Sequence, residues 1–298
     1  MELSGILVMN KPQGFTSFDV IGKLRGILRM RRLGHTGTLD PMAEGVLPVL
    51  VGTAARACDL LPDETKTYRA GFQLGTVTDT QDSTGRILET RAASVSEAEL
   101  LRVFPQFIGE IQQIPPMYSA VQINGKRLYE LAREGKQIER KARTVQVQSL
   151  KLLSFQPEDG TGTVEIVCGK GTYVRTILHD IGQALQCGAM MTALLRTAAC
   201  GFTLGDAQDF AAVQQAADEN RLTELLIPTD RLFVRYPELY LTEKQAQLYR
   251  NGVRLGLSQL HGLKPDAACC RVYGADGTFF GLARPDSAAD CLRIVKNL

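Results

Sequence analysis

A carboxylate, Asp40, stands just before the proline that ends the run Gly34-His35-Thr36-Gly37-Thr38-Leu39-Asp40-Pro41, a setting that presents an anionic group instead of burying it. Proline disfavours the α conformation for the residue before it, which biases Asp40 toward an extended backbone, and Gly34 and Gly37 open turns that side-chain-bearing residues resist. Taken alone, the run also fits an ordinary Asp-Pro loop, because Gly, Asp and Pro are the usual punctuation of loops. Two further stretches carry complementary groups. Lys66-Thr67-Tyr68-Arg69 offers an aromatic ring, and Lys170-Gly171-Thr172-Tyr173-Val174-Arg175 offers a ring and a guanidinium. On an extended segment Tyr173 and Arg175 share one face and can enter one pocket. Separately, each has a plain structural explanation, since Tyr is a good strand former and Arg a common surface residue. With Asp40 they form a specific constellation.

Other candidate chemistries fall away. Gly169-Lys170-Gly171-Thr172 has the look of the end of a phosphate-binding loop, but Gly171 stands where Ser or Thr must bind magnesium and the upstream glycine is missing. Asp79, Asp82 and Gly85 miss EF-hand spacing and read as a polar turn. Ser83 and Ser119 lack a nucleophile-elbow context. Three histidines, none in H-x-x-x-H register, and seven cysteines without a C-x-x-C pair predict no metal centre and reduced thiols in a cytoplasmic compartment.

The elements that must position these groups follow from composition and periodicity. With 298 residues, 44% hydrophobic and 22% charged, the chain can build one large core plus a smaller second unit. Its N-terminal apolar run stops at Asn10-Lys11-Pro12, too short for a signal or a membrane span. Net charge is only +2, but basic residues cluster. Lys23, Arg25, Arg29, Arg31 and Arg32 form an acid-free run, and seven basic residues between Lys126 and Arg143 face Glu130, Glu134 and Glu139. Such local fields attract polyanions; a solvated helix face is the plainer alternative.

The pattern predicts a strand over Ile6 to Met9 and a helix capped by Thr16 or Ser17, with Val20, Ile21, Leu24, Ile27 and Leu28 inward. A strand over Val46 to Val51 precedes a helix over Thr53 to Leu61. A strand over Lys66 to Leu74 and a polar loop over Thr76 to Gly85 come next, then a capping-box helix over Ser96 to Phe104. Gln113 to Arg143 reads as an excursion with an Asn124-Gly125 turn and a helix over Leu128 to Glu134. Hairpin strands (Val145 to Phe155, Gly162 to Cys168), a helix or strand-to-helix junction at Thr172 to Leu185, a strand over Met191 to Cys200 and a helical stretch over Asp206 to Leu226 follow. Beyond Pro228 and Pro237 lies a β-rich unit with strands near Ala267 to Tyr273, Thr278 to Ala283 and Cys291 to Val295. Without strict βαβ alternation, this is an α+β fold.

The order of these motifs resembles the bacterial tRNA pseudouridine synthase B family, which isomerises a uridine in the T-loop of tRNA. The resemblance runs over nearly the whole chain, on Leu7 to Gly14, Gly34 to Pro41, Lys66 to Arg69, Thr78 to Thr80, Ile114 to Ala120, Asn124 to Leu131 and Gly169 to Thr176. It implies a mixed, mainly antiparallel sheet with flanking helices in a catalytic domain over 1–230, an RNA-gripping insertion at 115–143, and a PUA-like domain over 235–298. It implies that Asp40 is the catalytic aspartate, that His35 contacts the flipped-out region of the RNA, and that Tyr68 stacks on the target base. Tyr173, Arg175 and Leu194 would line the uridine pocket, supported by Lys11. Where the family commonly shows Leu-Arg-Arg-Thr, this chain has Leu194-Leu195-Arg196-Thr197, one positive charge fewer.

The chemistry implied is cleavage of a C–N glycosidic bond, rotation of uracil within the site, and rejoining through carbon. Because uracil both leaves and returns, one ionised Asp can suffice where a retaining glycosidase needs two carboxylates, whether it attacks the sugar or the ring. Arg175 beside Asp40 is expected to lower its pKa, and the Tyr68 hydroxyl is a candidate proton donor or acceptor. Flipping the base costs a few kcal/mol, which phosphate contacts from Arg31 and Arg32 and from Lys126, Arg127 and Arg133 would offset. The expectation is a cytoplasmic monomer acting on the tRNA T-arm, with no cofactor, metal, membrane, guide RNA or obligate protein partner. Competing with it are a non-catalytic RNA-binding or folding protein and a guide-RNA-dependent synthase of the same fold.

Overall fold

A computed structural model describes residues 3–123, 125–263 and 267–298, so Asn124 of the expected turn lies outside the described residues. β1 (Gly5–Lys11), almost wholly buried, runs antiparallel to β3 (Glu44–Val51), with Met9 opposite Leu47. Between them, α1 (Ser17–Leu28) starts at Thr16, whose hydroxyl accepts the Asp19 amide in a capping box, and it buries Val20, Ile21, Leu24 and Leu28. β2 (Leu33–His35) then pairs with the end of β3. The expected helix over Thr53 to Leu61 is instead a 3₁₀ segment, Gly52–Ala57. Its small buried face of Ala54 and Ala57 is too short to sustain an α-helix.

β4 (Lys66–Leu74) alternates buried and more exposed positions. The expected polar loop after it contains β5 (Thr76–Thr78), paired with β6 (Ile87–Thr90); three residues are too few for a period-2 signal to register. α2 (Glu97–Val103) carries the Ser96/Glu99 capping box. After β7 (Gly109–Gln113) the chain leaves the sheet through the small hairpin β8 (Gln122–Ile123) and β9 (Lys126–Arg127) and α3 (Leu128–Arg133). It returns in β10 (Arg143–Gln156), which pairs with β7, then β11 (Thr161–Cys168), α4 (Val174–Ala184), β12 (Ala189–Ala199) and β13 (Phe202–Thr203). α5 (Phe210–Asp218) is shorter than the helical reading of Asp206 to Leu226, because 3₁₀ segments at Leu204–Asp206 and Leu222–Leu225 bracket it. β14 (Glu238–Tyr240), α6 (Glu243–Arg250), β15 (Leu255–Gly256), β16 (Cys270–Tyr273), β17 (Phe279–Asp286) and β18 (Cys291–Asn297) complete the chain. No helix among the described residues is long and apolar enough to cross a membrane.

The large sheet has nine strands, in the path β1-β3-β12-β4-β11-β10-β7 with β2 and β13 at its margins, and all its pairings are antiparallel except β12 with β3. A second sheet, β14-β16-β17-β18-β15, belongs to the C-terminal β unit. The strand between β3 and β4 is thus β12, which seats Asp40, just before β3, near Tyr68 on β4. Gly45 permits this: its φ is +105°, and a Cβ there would overlap the Arg196 carbonyl. α4 packs Val174, Ile177, Leu178 and Ile181 into one cluster with Phe72, Leu74, Val164 and Met191, whereas α1 packs on Leu7, Met9, Leu47 and Val49. A third cluster joins Ile6, Val46 and Phe233 to Cys269 and Leu282, tying the two sheets together.

Candidate active site

Hydrogen bonds on both sides hold the turn that carries Asp40. Ser17, buried at the first residue of α1, takes both backbone groups of Leu39: the Leu39 amide donates to Ser17 Oγ at 2.8 Å, and the hydroxyl donates to Leu39 O at 3.3 Å. On the far side, Gly14 N–H donates to Pro41 O at 2.8 Å. Lys11 Nζ reaches Pro41 O at 3.5 Å while donating to Pro12 O at 2.9 Å and Phe15 O at 2.6 Å. Arg196 Nη2 donates to Gly37 O at 3.2 Å. Neither Gly34 nor Gly37 adopts a positive φ, which corrects the expected glycine-dependent turns. A Cβ at Gly34 would meet Cys58 Sγ at 2.9 Å, and one at Gly37 would find ordinary contact with Lys66 Cε at 3.4 Å. The shape comes from hydrogen bonds and one close approach.

Arg175 arrives differently from the extended-segment expectation. Tyr173 is the N-cap of α4 and Arg175 lies in the helix's first turn, so strand alternation does not relate them. Gln113, buried at the end of β7, clamps the cap: the Tyr173 amide donates to its Oε1 at 2.8 Å and its Nε2 donates to Tyr173 O at 3.0 Å. From this anchored turn the Arg175 guanidinium, 5% exposed, gathers three segments. Nε lies 3.0 Å from Asp40 Oδ2, Nη1 donates to Thr80 O at 3.0 Å and lies 3.5 Å from Asp82 Oδ2, and Nη2 donates to Tyr118 O at 3.0 Å. Asp82 is itself fixed, its Oδ1 accepting from Thr80 Oγ1, the Thr84 amide and Thr84 Oγ1.

The electrostatics correct a second expectation. The Asp40 side chain is 37% exposed, but it sits in a recess with protein on its other sides. Burial raises its pKa above the ordinary carboxylate range, and although Arg175 and Lys11 pull it down, Asp82 pushes it up and the net shift is upward. Arg175 fails to win because burial, the largest influence on this carboxylate, outweighs it, and Asp82 adds a second upward push. Burial likewise raises the Tyr68 phenol, with Arg196 the main opposing influence. His35 is half-buried on β2, and burial, aided by Arg196, lowers its pKa. Lys11, fully buried, is brought down to about 8 by burial.

Tyr68 and Leu194 share one apolar cluster with Leu39 and Val174, Arg175 contacts Asp40 and Lys11 reaches Pro41 O, so these five site residues converge, with His35 at the end of β2 just before the turn. Tyr173 is half-buried on its cap. Arg31, Arg32, Lys126, Arg127 and Arg133 are exposed and make no hydrogen bond or ion pair with these residues among those described. The Arg127 guanidinium donates to Tyr129 Oη at 3.2 Å, Arg133 lies 5.4 Å over the Tyr129 ring, and Lys126 pairs with Glu134. The excursion touches the recess through Tyr118 O. Sequence reasoning missed Asp82, Ser17, Gln113 and Arg196. Asp82 had a signal in Thr80-Gln81-Asp82-Ser83-Thr84, a turn whose threonines can satisfy a buried carboxylate; Gln113 had none.

Comparison with known proteins identifies relatives over nearly the whole chain. Residues 25–174 match the TruB family pseudouridylate synthase N-terminal domain, and residues 175–234 the tRNA pseudouridylate synthase B C-terminal domain. The chain is similar to tRNA pseudouridine synthase B of Lachnoclostridium phytofermentans, at 41% identity over 99% of both chains. It is similar also to that of Burkholderia pseudomallei, at 42% identity over 95% of this chain and 93% of the relative. Among solved structures it shares its fold with a chain of a Cbf5-Nop10-Gar1 complex, with TM-score 0.74 and 23% identity over 98% of this chain and 84% of the other.

Proposed function

The chain belongs to the TruB family of pseudouridylate synthases, and on that premise we propose that it converts a T-loop uridine of tRNA to pseudouridine with Asp40 as the catalytic aspartate. The observation that carries this is the Asp40–Arg175 contact at 3.0 Å, beside the apolar cluster that holds Leu39, Tyr68 and Leu194. A carboxylate with a raised pKa is more basic and a better nucleophile than a solvated one, and the hydrogen bonds on Leu39 and Pro41 restrain its position relative to the reacting sugar or ring. Tyr68 offers a stacking face worth on the order of 1–3 kcal/mol, which retains uracil while it turns between its N-linked and C-linked positions. The neutral His35 ring packs or hydrogen-bonds against the opened RNA without adding charge.

Phosphate contacts come from outside the recess. The exposed run at Arg31 and Arg32 and the excursion with Lys126, Arg127 and Arg133 supply cations for the backbone of a folded RNA, where loop shape counts for more than base edges. The proposal is of a cytoplasmic enzyme acting alone, with no cofactor and no guide RNA; similarity to the two synthase B relatives over nearly their full length supports tRNA as its substrate. The domain division at 230/235 and the grip by 115–143 are part of the same proposal. Asp40→Asn decides the matter: incubated with unmodified tRNA and assayed by chemical mapping of pseudouridine, it should give no product while binding tRNA nearly as well as the parent. Normal turnover by Asp40→Asn would remove Asp40 from the chemistry.

A further inference from the structure

Arg196 heads the large side chains that are almost sealed from solvent, at 1% exposure, and no carboxylate pairs with it among the described residues. Two of its donors are used: Nε donates to Val46 O at 2.6 Å and Nη2 to Gly37 O at 3.2 Å. The third, Nη1, is buried without an acceptor. A guanidinium held this way, without counter-ion and with a donor unmet, is costly to fold, so a compensating anion is expected when the protein works. Across the β12–β4 pairing, Arg196 stands opposite Tyr68. Directly opposed residues of an antiparallel pair share a face, with Cβ atoms about 5 Å apart.

We infer that Arg196 is a positioning residue with two tasks: Nε and Nη2 tie the Asp40 turn to β3, and Nη1 is reserved for the Tyr68 oxygen when that oxygen carries negative charge. This rests on the uridine-isomerase reading of the recess. Once uracil has rejoined the sugar through C5, the C5 proton must leave. The neutral Tyr68 phenol first gives its proton to N1, which leaves a phenolate facing Arg196 Nη1. That phenolate takes the C5 proton, the C–H electron pair stays in the ring and restores its conjugation, and Tyr68 is again a neutral phenol, so the net change is one proton moved from C5 to N1. The groups facing Tyr68 are Arg196 from β12, Asp40 from the turn and the Cys168 thiol from β11. Of these Arg196 alone favours the phenolate, and it takes on that task without the second arginine common at the neighbouring family position.

The test compares Arg196→Met and Arg196→Lys in the full chain, using single-turnover and steady-state kinetics on tRNA transcript. In parallel, 3-fluorotyrosine replaces Tyr68 and is titrated by fluorine NMR, its more acidic phenol avoiding strongly alkaline conditions. Arg196→Met should lose about a hundredfold in kcat with KM within about threefold of the parent, the pattern of a lost transition-state donor. Its phenol midpoint should rise by about one pH unit or more, whereas Arg196→Lys, which keeps the charge, should hold the midpoint and lose less rate. An unchanged midpoint in Arg196→Met means the residue is scaffold only and overturns the inference, as does normal kcat. Should Arg196→Met not fold, Arg196→Gln against Arg196→Lys decides on the same two readouts. Asp40→Asn run alongside separates the failures: turnover by that variant defeats the uridine-isomerase reading itself, whereas an inert Asp40→Asn with an unmoved Tyr68 midpoint defeats only the role of Arg196.

Discussion

Replacing Lys11 by Met should change how stability depends on pH, in a direction and amount that the structure supplies. The ammonium is fully buried and donates to three carbonyls, Pro12 O, Phe15 O and Pro41 O. Burial lowers its pKa from 10.5 to about 8, against the pull of Asp40 and Glu44 toward the charged form. That gap of roughly two and a half units is worth about 3 kcal/mol at 1.36 kcal/mol per unit. Between the two values the unfolded chain binds the proton and the folded chain does not, so this group makes stability rise with pH. The penalty is present in full below about pH 8 and gone above about pH 10.5. Met has no proton to lose. The stability of the parent minus that of Lys11→Met should therefore increase by on the order of 2–3 kcal/mol from about pH 7 to pH 10, read from urea unfolding at stepped pH. Other groups that titrate there, such as Cys168 at about 11, cancel in the difference. Removing the amine leaves three carbonyls short of a donor, so at neutral pH the two effects partly offset. A difference that stays flat across this range would refute the picture of a buried, desolvated ammonium. Losing the tether on Pro41 O should also lower kcat by about tenfold through misplacement of Asp40, with little change in KM.

Gly45→Ala should cost about 2 kcal/mol or more in unfolding free energy, since the residue needs a positive φ and its Cβ would overlap the Arg196 carbonyl; a loss within error would show that β3 and β12 can separate there freely. Neutralising Lys126, Arg127 and Arg133 together should raise KM for tRNA more than it lowers kcat and reduce the salt slope of binding by about 2 to 3, and an unchanged slope would rule out an RNA grip by the excursion.

Short-range chemistry was legible in the sequence. The Thr16 N-cap, offered alongside Ser17, the Ser96 capping box, the bounds of β4 and the β10–β11 hairpin all follow from spacings of a few residues. What escaped depends on partners far apart in the chain. Gln113 meets Tyr173 across 60 positions, Arg196 meets Gly37 across 159, and Arg175 meets Asp82 across 93. None leaves a local period. The direction of the Asp40 pKa shift escaped for the same reason: one arginine beside an aspartate suggests a lowered value, and only the fold reveals how strongly burial acts on the carboxylate, with Asp82 adding to it. The extended reading of Tyr173 to Arg175 failed at a junction, where a strand-like cap and a helix begin within two residues.

The place of β12 between β3 and β4 also bears on biosynthesis. A chain leaving the ribosome shows β3 and β4 long before Ala189–Ala199 exists, and in that interval β4 has an open edge of unpaired amides and carbonyls along alternately buried side chains. Such edges pair with whatever strand they meet. Asp40 and Tyr68 are already made, yet the strand that draws their neighbourhoods together comes about 120 residues after Tyr68. A ribosome stalled in that stretch holds a chain that cannot act on RNA and is most prone to join its neighbours on the polysome, so prompt synthesis through Ala199 guards both activity and solubility.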